Sequence, residues 1–355
     1  MANKFTDFNP GITNNGGRKN FIINGAMDIW QNATSYSAIT TSAWLADMFQ
    51  FGINTDGSMN ITRDSINAGV LSPFTPLYSI KCQPQAADTS ISTAQYSMLQ
   101  TAIEGYNYRR LKERTATLSF FVYSNKAGIY CIGFRNLGSD RAYIAEYTIN
   151  QANTWEKKSI TITFNQGGGT EDYTNGQGIR INWVLAAGST YQTTPNVWQN
   201  GNYFSTSNQV NFMDNITNVF YLTAVQLELG SVATDFEYRA ISEELELCQR
   251  YFEKSYDISV VPGSAGSTAG ADSFVASVGN YRAAIRYKVN KRSNSNPPVA
   301  YSPVTGASGY IRNETSGADV VQAGWDMRGE TGARATIAAV DQNIYYFHWA
   351  VDARI

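Results

Sequence analysis

Few side chains in this sequence are of a type and spacing that performs covalent chemistry. His348 is the single histidine, set in the aromatic run Tyr345–Trp349. A Ser-His-Asp relay there would need partners that nothing in the sequence marks. A lone histidine in a strand-like run reads as structural. The cysteines Cys82, Cys131 and Cys248 are odd in number and far apart, which supports neither a disulfide framework nor a zinc site. They read as small apolar core residues in a protein made in a reducing cytoplasm. Glu171 and Asp172 are adjacent acids inside the glycine-rich GGGTEDYTNGQG. No Lys-Ser/Thr follows those glycines, so this is not a phosphate-binding P-loop. Glycoside hydrolysis needs two carboxylates at a set separation across a cleft, which adjacency does not supply, so the pair reads as part of a solvated loop. Asp56-Gly57 and Asp140 offer loop oxygens for calcium, but no EF-hand spacing accompanies them. No metal, no cofactor and no catalytic activity are expected.

Aromatic residues are the better lead. GSTYQTTPNVWQNGNYF places Tyr191, Trp198, Tyr203 and Phe204 among glutamines and asparagines. An aromatic face covers the apolar C–H face of a pyranose, and amides pair with its hydroxyls. Tyr191, Trp198 and Tyr203 are therefore the glycan-binding candidates. The alternative is that these large rings anchor their loop onto the protein.

The elements that must position them read as β-structure. Phe21–Ile23, closed by the turn signal Asn24-Gly25, and the aromatic stretch Trp44–Phe51 are strand candidates, as are Ser79–Pro84 and Gln95–Glu104. Thr115–Tyr123 alternates as a half-buried strand should. Gly128–Phe134, Ala142–Ile149, Lys158–Phe164, Ile179–Ala186 and Phe220–Leu229 follow at hairpin-like spacing, with a glycine-rich loop over 166–178. Many short strands between turn signals predict an all-β fold, a jelly-roll β-sandwich. A short helix is predicted after Ser242 as N-cap. Glu243 and Glu244 lie in its first turn, Arg250 and Lys254 come late, and Leu245, Cys248 and Phe252 share one face. A Pro/Gly/Ser stretch then leads into a second, smaller β-domain with strands at Arg282–Val289, 337–340 and Ile344–Val351. The division expected is an N-terminal arm over 1–19, a jelly roll over 20–240, helix and linker over 241–272, and a C-terminal β-domain over 273–355. No fixed-period repeat appears.

Composition narrows the partners. Of the 355 residues, 43% are hydrophobic and only 16% charged, below the roughly 25% of an average globular protein. The 27 basic and 29 acidic side chains leave a net charge of −2. There is no basic excess for a phosphate backbone, so nucleic acid is disfavoured. No apolar run reaches the roughly 18 residues of a membrane helix, so membrane insertion is not expected. The N-terminus lacks the apolar core of a signal peptide, so a protein working outside the cell would leave by lysis or on a particle.

One junction carries a resemblance. Gln226-Leu227-Glu228, Gly230, Ala233-Thr234, Phe236-Glu237, Arg239, Glu244-Leu245 and Cys248-Gln249-Arg250-Tyr251-Phe252 together resemble a segment of bacteriophage tail-fibre and receptor-binding proteins. Asn20-Phe21, Ile23-Asn24-Gly25, Met27 and Ile29-Trp30-Gln31 resemble the opening of a jelly-roll domain common in phage tail and prophage proteins. Its next motif is met by Trp44, Ala46-Asp47, Met48 and Phe49, with Met48 where an arginine is usual, which puts a local ion pair in doubt. Gln100, Ile103-Glu104, Ser119-Phe120 and Gly128 also fit. At the chain end Trp349, Ala350 and Asp352-Ala353 match, but Arg354 stands where an acid is usual. The resemblance covers most of 20–256 and, thinly, the end of the chain. It implies a fold similar in build to carbohydrate-binding modules. It also implies a virion protein, often homotrimeric, synthesised in the host cytoplasm, joined to other virion proteins through its N-terminal segment and bound to a host-surface polysaccharide or lipopolysaccharide. Gln226, Glu228, Gly230, Glu237, Arg239, Cys248, Arg250 and Tyr251 would then form a structural junction. The alternatives are a head fibre, capsid-decoration or tail-adaptor protein with a purely structural role, and a short polysaccharide depolymerase.

Overall fold

The computed structural model describes residues 18–66, 71, 76–164, 167–277, 282–337 and 342–355. Apart from Arg18 and Lys19, the expected N-terminal arm lies outside them, as do 338–340 of the predicted strand 337–340. The first strands are β1 (Ser35–Ile39), β2 (Ala43–Trp44), β3 (Phe49–Asn54), β4 (Ser58–Ser65), β5 (Tyr78–Ala86) and β6 (Tyr96–Glu104), followed by a one-turn helix, α1 (Gly105–Tyr108). Next come β7 (Thr115–Ser124), β8 (Gly128–Arg135), β9 (Arg141–Ile149), β10 (Glu156–Thr163), β11 (Gln177–Ala187), β12 (Trp198–Asn200) and β13 (Phe220–Leu229). Helix α2 (Ile241–Gln249) leads into β14 (Phe252–Lys254), β15 (Asp272–Val275), β16 (Arg282–Arg286), β17 (Val299–Tyr301), β18 (Tyr310–Asn313), β19 (Ala318–Gly329), β20 (Gly332–Ile337) and β21 (Ile344–Asp352).

Among the described residues these strands form three sheets. One runs β1-β4-β5-β13-β7-β10 and a second β12-β9-β8-β11-β6-β3-β2. Their facing sides bury the main core. Leu118, Phe120 and Val122 of β7 and Leu222 and Leu227 of β13 meet Phe49, Phe51, Leu99, Ile132, Phe134, Ile181 and Trp183 of the second sheet. The period-2 alternation of those strands sends one set of side chains inward and leaves the other outward. The result is the all-β, jelly-roll β-sandwich read from the sequence. The third sheet runs β14-β21-β18-β19-β20-β16, with β15 and β17 also paired to β21. Its smaller core holds Ile285, Ile311, Tyr345, Phe347, Trp349 and Val351.

Two strand expectations fail for stated reasons. Phe21–Ile23 is not a strand. Its neighbours lace it to a bulge in β13: the Asn20 amide donates to the Val225 carbonyl at 3.0 Å and accepts from the Leu227 N–H. Gly25 accepts from the Val225 N–H at 2.9 Å. Trp44–Phe51 is broken into β2 and β3 by a turn in which Met48 takes φ +71°. The helix also begins earlier than predicted. Ala240 is its N-cap and makes no side-chain cap, so Ser242 lies inside the first turn, while Phe252 belongs to β14. β14 falls within 241–272, yet it pairs with the last strand, Phe252 opposite Asp352.

Candidate functional site

The junction residues form a continuous polar lacework. Gln226 is buried, donates to Glu228 at 2.8 Å and accepts from the Glu237 N–H at 2.8 Å. The Glu228 carboxylate accepts from the N–H and hydroxyl of Thr234 at 2.8 and 2.7 Å. Gly230 takes φ +116°, a conformation glycine supplies without strain, and its carbonyl accepts from the Thr117 hydroxyl. Glu237 accepts from the N–H groups of Lys19 and Asn20. Arg239 reaches the carbonyls of Asn20 and Ile22 and the carboxylates of Glu237 and Glu244. Cys248 is fully buried, and burial pushes its thiol well up. Arg250 grips Glu104 with two nitrogens at 2.6 and 2.8 Å, and the Tyr251 hydroxyl donates to the same carboxylate at 2.6 Å. Apart from the buried Cys248, these residues link distant segments of the chain by hydrogen bonds.

The outward face of the second sheet has a different character. Register sets Gln50, Gln100, Asn182 and Gly133 in a row across β3, β6, β11 and β8, with Arg180 opposite Arg135 beside them. The segment after β11 folds back over this face. Phe204 lies so close above Gly133 that a Cβ there would come within 2.6 Å of it. Tyr191 stacks on Phe204 with ring centres 4.5 Å apart, and Tyr96 stands edge-on to both. What remains open is a cleft of about 260 Å³, lined by Gln50, Tyr96, Gln100, Arg135, Arg180 and Tyr191, among others. Its polar floor is incompletely paired. The Gln100 amide donates to Gln50, but its carbonyl oxygen is buried without a partner, as is Nε of Arg135. Buried polar atoms are otherwise nearly always hydrogen-bonded, so the floor of the cleft is left with unmet hydrogen-bonding capacity. We expect Gly133→Ala to push the 203–205 segment off the sheet, at a cost of about 1–3 kcal/mol for overpacking. A fall in the urea midpoint and a changed environment for Tyr191 would register it.

Of the three glycan candidates, Tyr191 alone lines this cleft. Trp198 faces the other way: its ring packs on the main core beside Tyr143, and its indole N–H donates to the Thr163 carbonyl at 2.9 Å. Tyr203 lies over Gly201 and packs on the small cluster around Phe204. Gln50, Arg135 and Arg180 did not stand out in the sequence, and Gln100 did so only within the resemblance, because residues that the register makes neighbours lie 45 to 50 positions apart.

The other chemical candidates have structural partners. His348 is fully buried and stacks on Tyr256 at 3.6 Å, and its two nitrogens meet the Ser255 hydroxyl and the Ser267 carbonyl at 2.9 and 3.0 Å. A carbonyl only accepts, so Nε2 carries the proton and Nδ1 accepts from Ser255. Burial pushes its pKa down. Asp172 accepts from Thr174 and Gly176 within its own turn, and Glu171 accepts from Tyr108 and Tyr173. The Asp140 carboxylate ties Asn136 to Thr170, and those hydrogen bonds hold its pKa down at about 2. Asp56 receives no role from its side chain; its N–H donates to Asp88. No cluster of three potential metal-ligating side chains occurs among the described residues.

Neither a protein-family description nor a curated sequence matches the chain. Several solved structures are similar in fold. One is a candidate sugar-binding protein from Bacteroides thetaiotaomicron (12% identity, 60% of this chain and 100% of that one, TM-score 0.36). Another is a family 61 carbohydrate-binding module in complex with β-1,4-galactotriose (9% identity, 60% and 100%, TM-score 0.31). A third is a family 11 carbohydrate-binding module from Clostridium thermocellum in complex with a mixed-linked tetrasaccharide (10% identity, 56% and 100%, TM-score 0.28). At these scores the likeness bears no functional weight, and the cleft must be argued from its own residues.

Proposed function

We propose that this chain is a non-enzymatic, glycan-binding protein that attaches a phage particle to its host, as a tail fibre or related receptor-binding virion protein. The observation that carries the glycan reading is the cleft of the second sheet. It combines the rings of Tyr96 and Tyr191 with the amides of Gln50 and Gln100, and two of its buried polar atoms lack partners. Rings cover the C–H face of a sugar and amides pair with its hydroxyls. The phage assignment rests on the sequence resemblance of 20–256. It brings with it a homotrimer, virion neighbours reached through the N-terminal segment, and a host-surface polysaccharide or lipopolysaccharide as receptor. Weak single sites become strong attachment when several copies act together, with avidity gains of about 10²–10⁴.

Host-surface polysaccharides on an array test the reading directly. The chain should bind a subset of them, and Gln100→Ala should weaken that binding about tenfold, equivalent to about 1.4 kcal/mol. A chain that binds no glycan would instead favour a purely structural virion role. A monomer by light scattering would remove the fibre assignment.

A further inference from the structure

The cleft contains an unbalanced pair of charges. Arg180 on β11 stands directly opposite Arg135 on β8, and both residues line the same cleft. Like charges directly opposite on neighbouring strands are destabilising. Arg135 is only 6% exposed. Its hydrogen-bond partners are the neutral amide oxygens of Asn202 and Asn182, the latter at 3.2 Å, and its ring neighbour is Phe204. No aspartate or glutamate lines the cleft among the described residues, and no ion pair there involves Arg135 or Arg180.

Elsewhere the chain pairs its buried cations. Lys291 meets Glu253, Arg239 meets Glu237 and Glu244, Arg250 meets Glu104, and Arg354 meets Asp352. Lys254 instead meets the carbonyls of Gln31, Ile258 and Val260; Arg135 has neutral amide oxygens in place of a carboxylate, and removing a charge from water without a counter-charge is expensive. Burial first, then the neighbouring Arg180 charge, bring Arg135 down to about 10, and burial lowers Arg180 as well.

We infer that this cleft selects a sugar bearing a carboxylate, a uronic or sialic acid residue of a host glycan, whose carboxylate sits between Arg135 and Arg180. A planar carboxylate accepts in parallel from guanidinium forks, and it supplies the missing negative charge. The Tyr191 and Tyr96 rings and the Gln50 and Gln100 amides then take the pyranose and its hydroxyls, which distinguishes an acidic sugar from a bare anion. The inference rests on the glycan reading of the same cleft.

Calorimetric titration of the full chain with methyl β-D-glucuronide, methyl galacturonide and N-acetylneuraminic acid, against methyl glucoside and methyl galactoside, tests it. At least one acidic sugar should bind ten or more times tighter than the neutral glycosides, roughly a 1.4 kcal/mol preference, and salt should weaken it. Arg180→Gln should erase the preference and raise the thermal midpoint of the unliganded protein, since it removes a like-charge repulsion. Equal binding of neutral and acidic glycosides would overturn acid selection and leave the glycan reading standing. Acetate binding as tightly as the acidic sugars would overturn it in favour of a plain anion seat. A lowered midpoint in Arg180→Gln would show that the charge is structurally required and overturn it. Binding of none of the sugars would remove both readings.

Discussion

Replacing Lys291 by methionine is expected to destabilise the protein by about 3–5 kcal/mol, the cost of leaving one partner of a buried ion pair alone. Lys291 and Glu253 are 0% and 1% exposed, with Nζ 2.7 Å from the carboxylate. Each charge has further partners. Glu253 accepts from the Lys288 N–H at 2.9 Å, and Lys291 donates to the Gln249 carbonyl and lies near the Tyr287 ring. Burial lowers the lysine's pKa, and the carboxylate opposes that effect. The single variant strands a carboxylate in the interior. A double variant, Lys291→Met with Glu253→Gln, keeps an acceptor for Lys288 and removes the orphaned charge, so it should be more stable than Lys291→Met alone. Urea denaturation of the three proteins settles the order. If Lys291→Met unfolds at the wild-type midpoint, the pair is not a stabilising tie.

The second large effect is a dependence on pH. Asp47 is 1% exposed, and burial pushes its carboxyl up to about 6, although Gln31 donates to it and Arg354 and Lys254 pull the other way. The folded protein therefore holds this proton more tightly than the unfolded chain, whose aspartates titrate near 3.9. Stability from this group is full below about pH 4 and is lost as pH rises through about 6. A shift of about two units corresponds to roughly 3 kcal/mol. Asp28, also pushed up to about 6 by burial and then by Glu244, acts in the same window with the same sign. Groups held low act oppositely: Asp319, with its Thr305 and Ser302 donors, at lower pH, and His348, pushed down by burial, as pH rises toward its ordinary 6.5, so two raised carboxyls stand against one histidine in this window. Unfolding midpoints between pH 4 and 7.5 should therefore fall with rising pH, and Asp47→Asn should flatten much of that slope. An unchanged slope in Asp47→Asn would place the titration elsewhere.

Legibility in the sequence followed the local pattern. Thr115–Tyr123 and Ala142–Ile149 alternate cleanly, and both are strands with edges within two residues of those read from the sequence. β1 and β4 were missed because their exposed or polar positions, such as Asn60 and Thr62, blur the alternation. β19 spans twelve residues, none of them buried, so no inward–outward contrast marks it, and its pairing to β18 and β20 makes it a strand. Phe21–Ile23 has strand composition, but two asparagine side chains take over the hydrogen bonding that a ladder would supply. For the site, clustering along the chain revealed Tyr191. Arg135 and Arg180 were invisible because only the β8–β11 register sets them face to face.

The pairing of β14 with β21 also fixes how the C-terminal body carries load. The chain enters that body at Phe252, and the strand it enters on lies antiparallel against β21 over Phe252–Lys254. If the far loops are held and the sandwich is pulled away, tension enters along β14. The hydrogen bonds of that seam are then strained together, lengthwise, rather than opened one after another. The arginine–carboxylate tie at Glu104 and the lysine–carbonyl tie at Gln31 join that strand and the chain just before it to the sandwich. A chain built this way resists traction where the third sheet meets the sandwich.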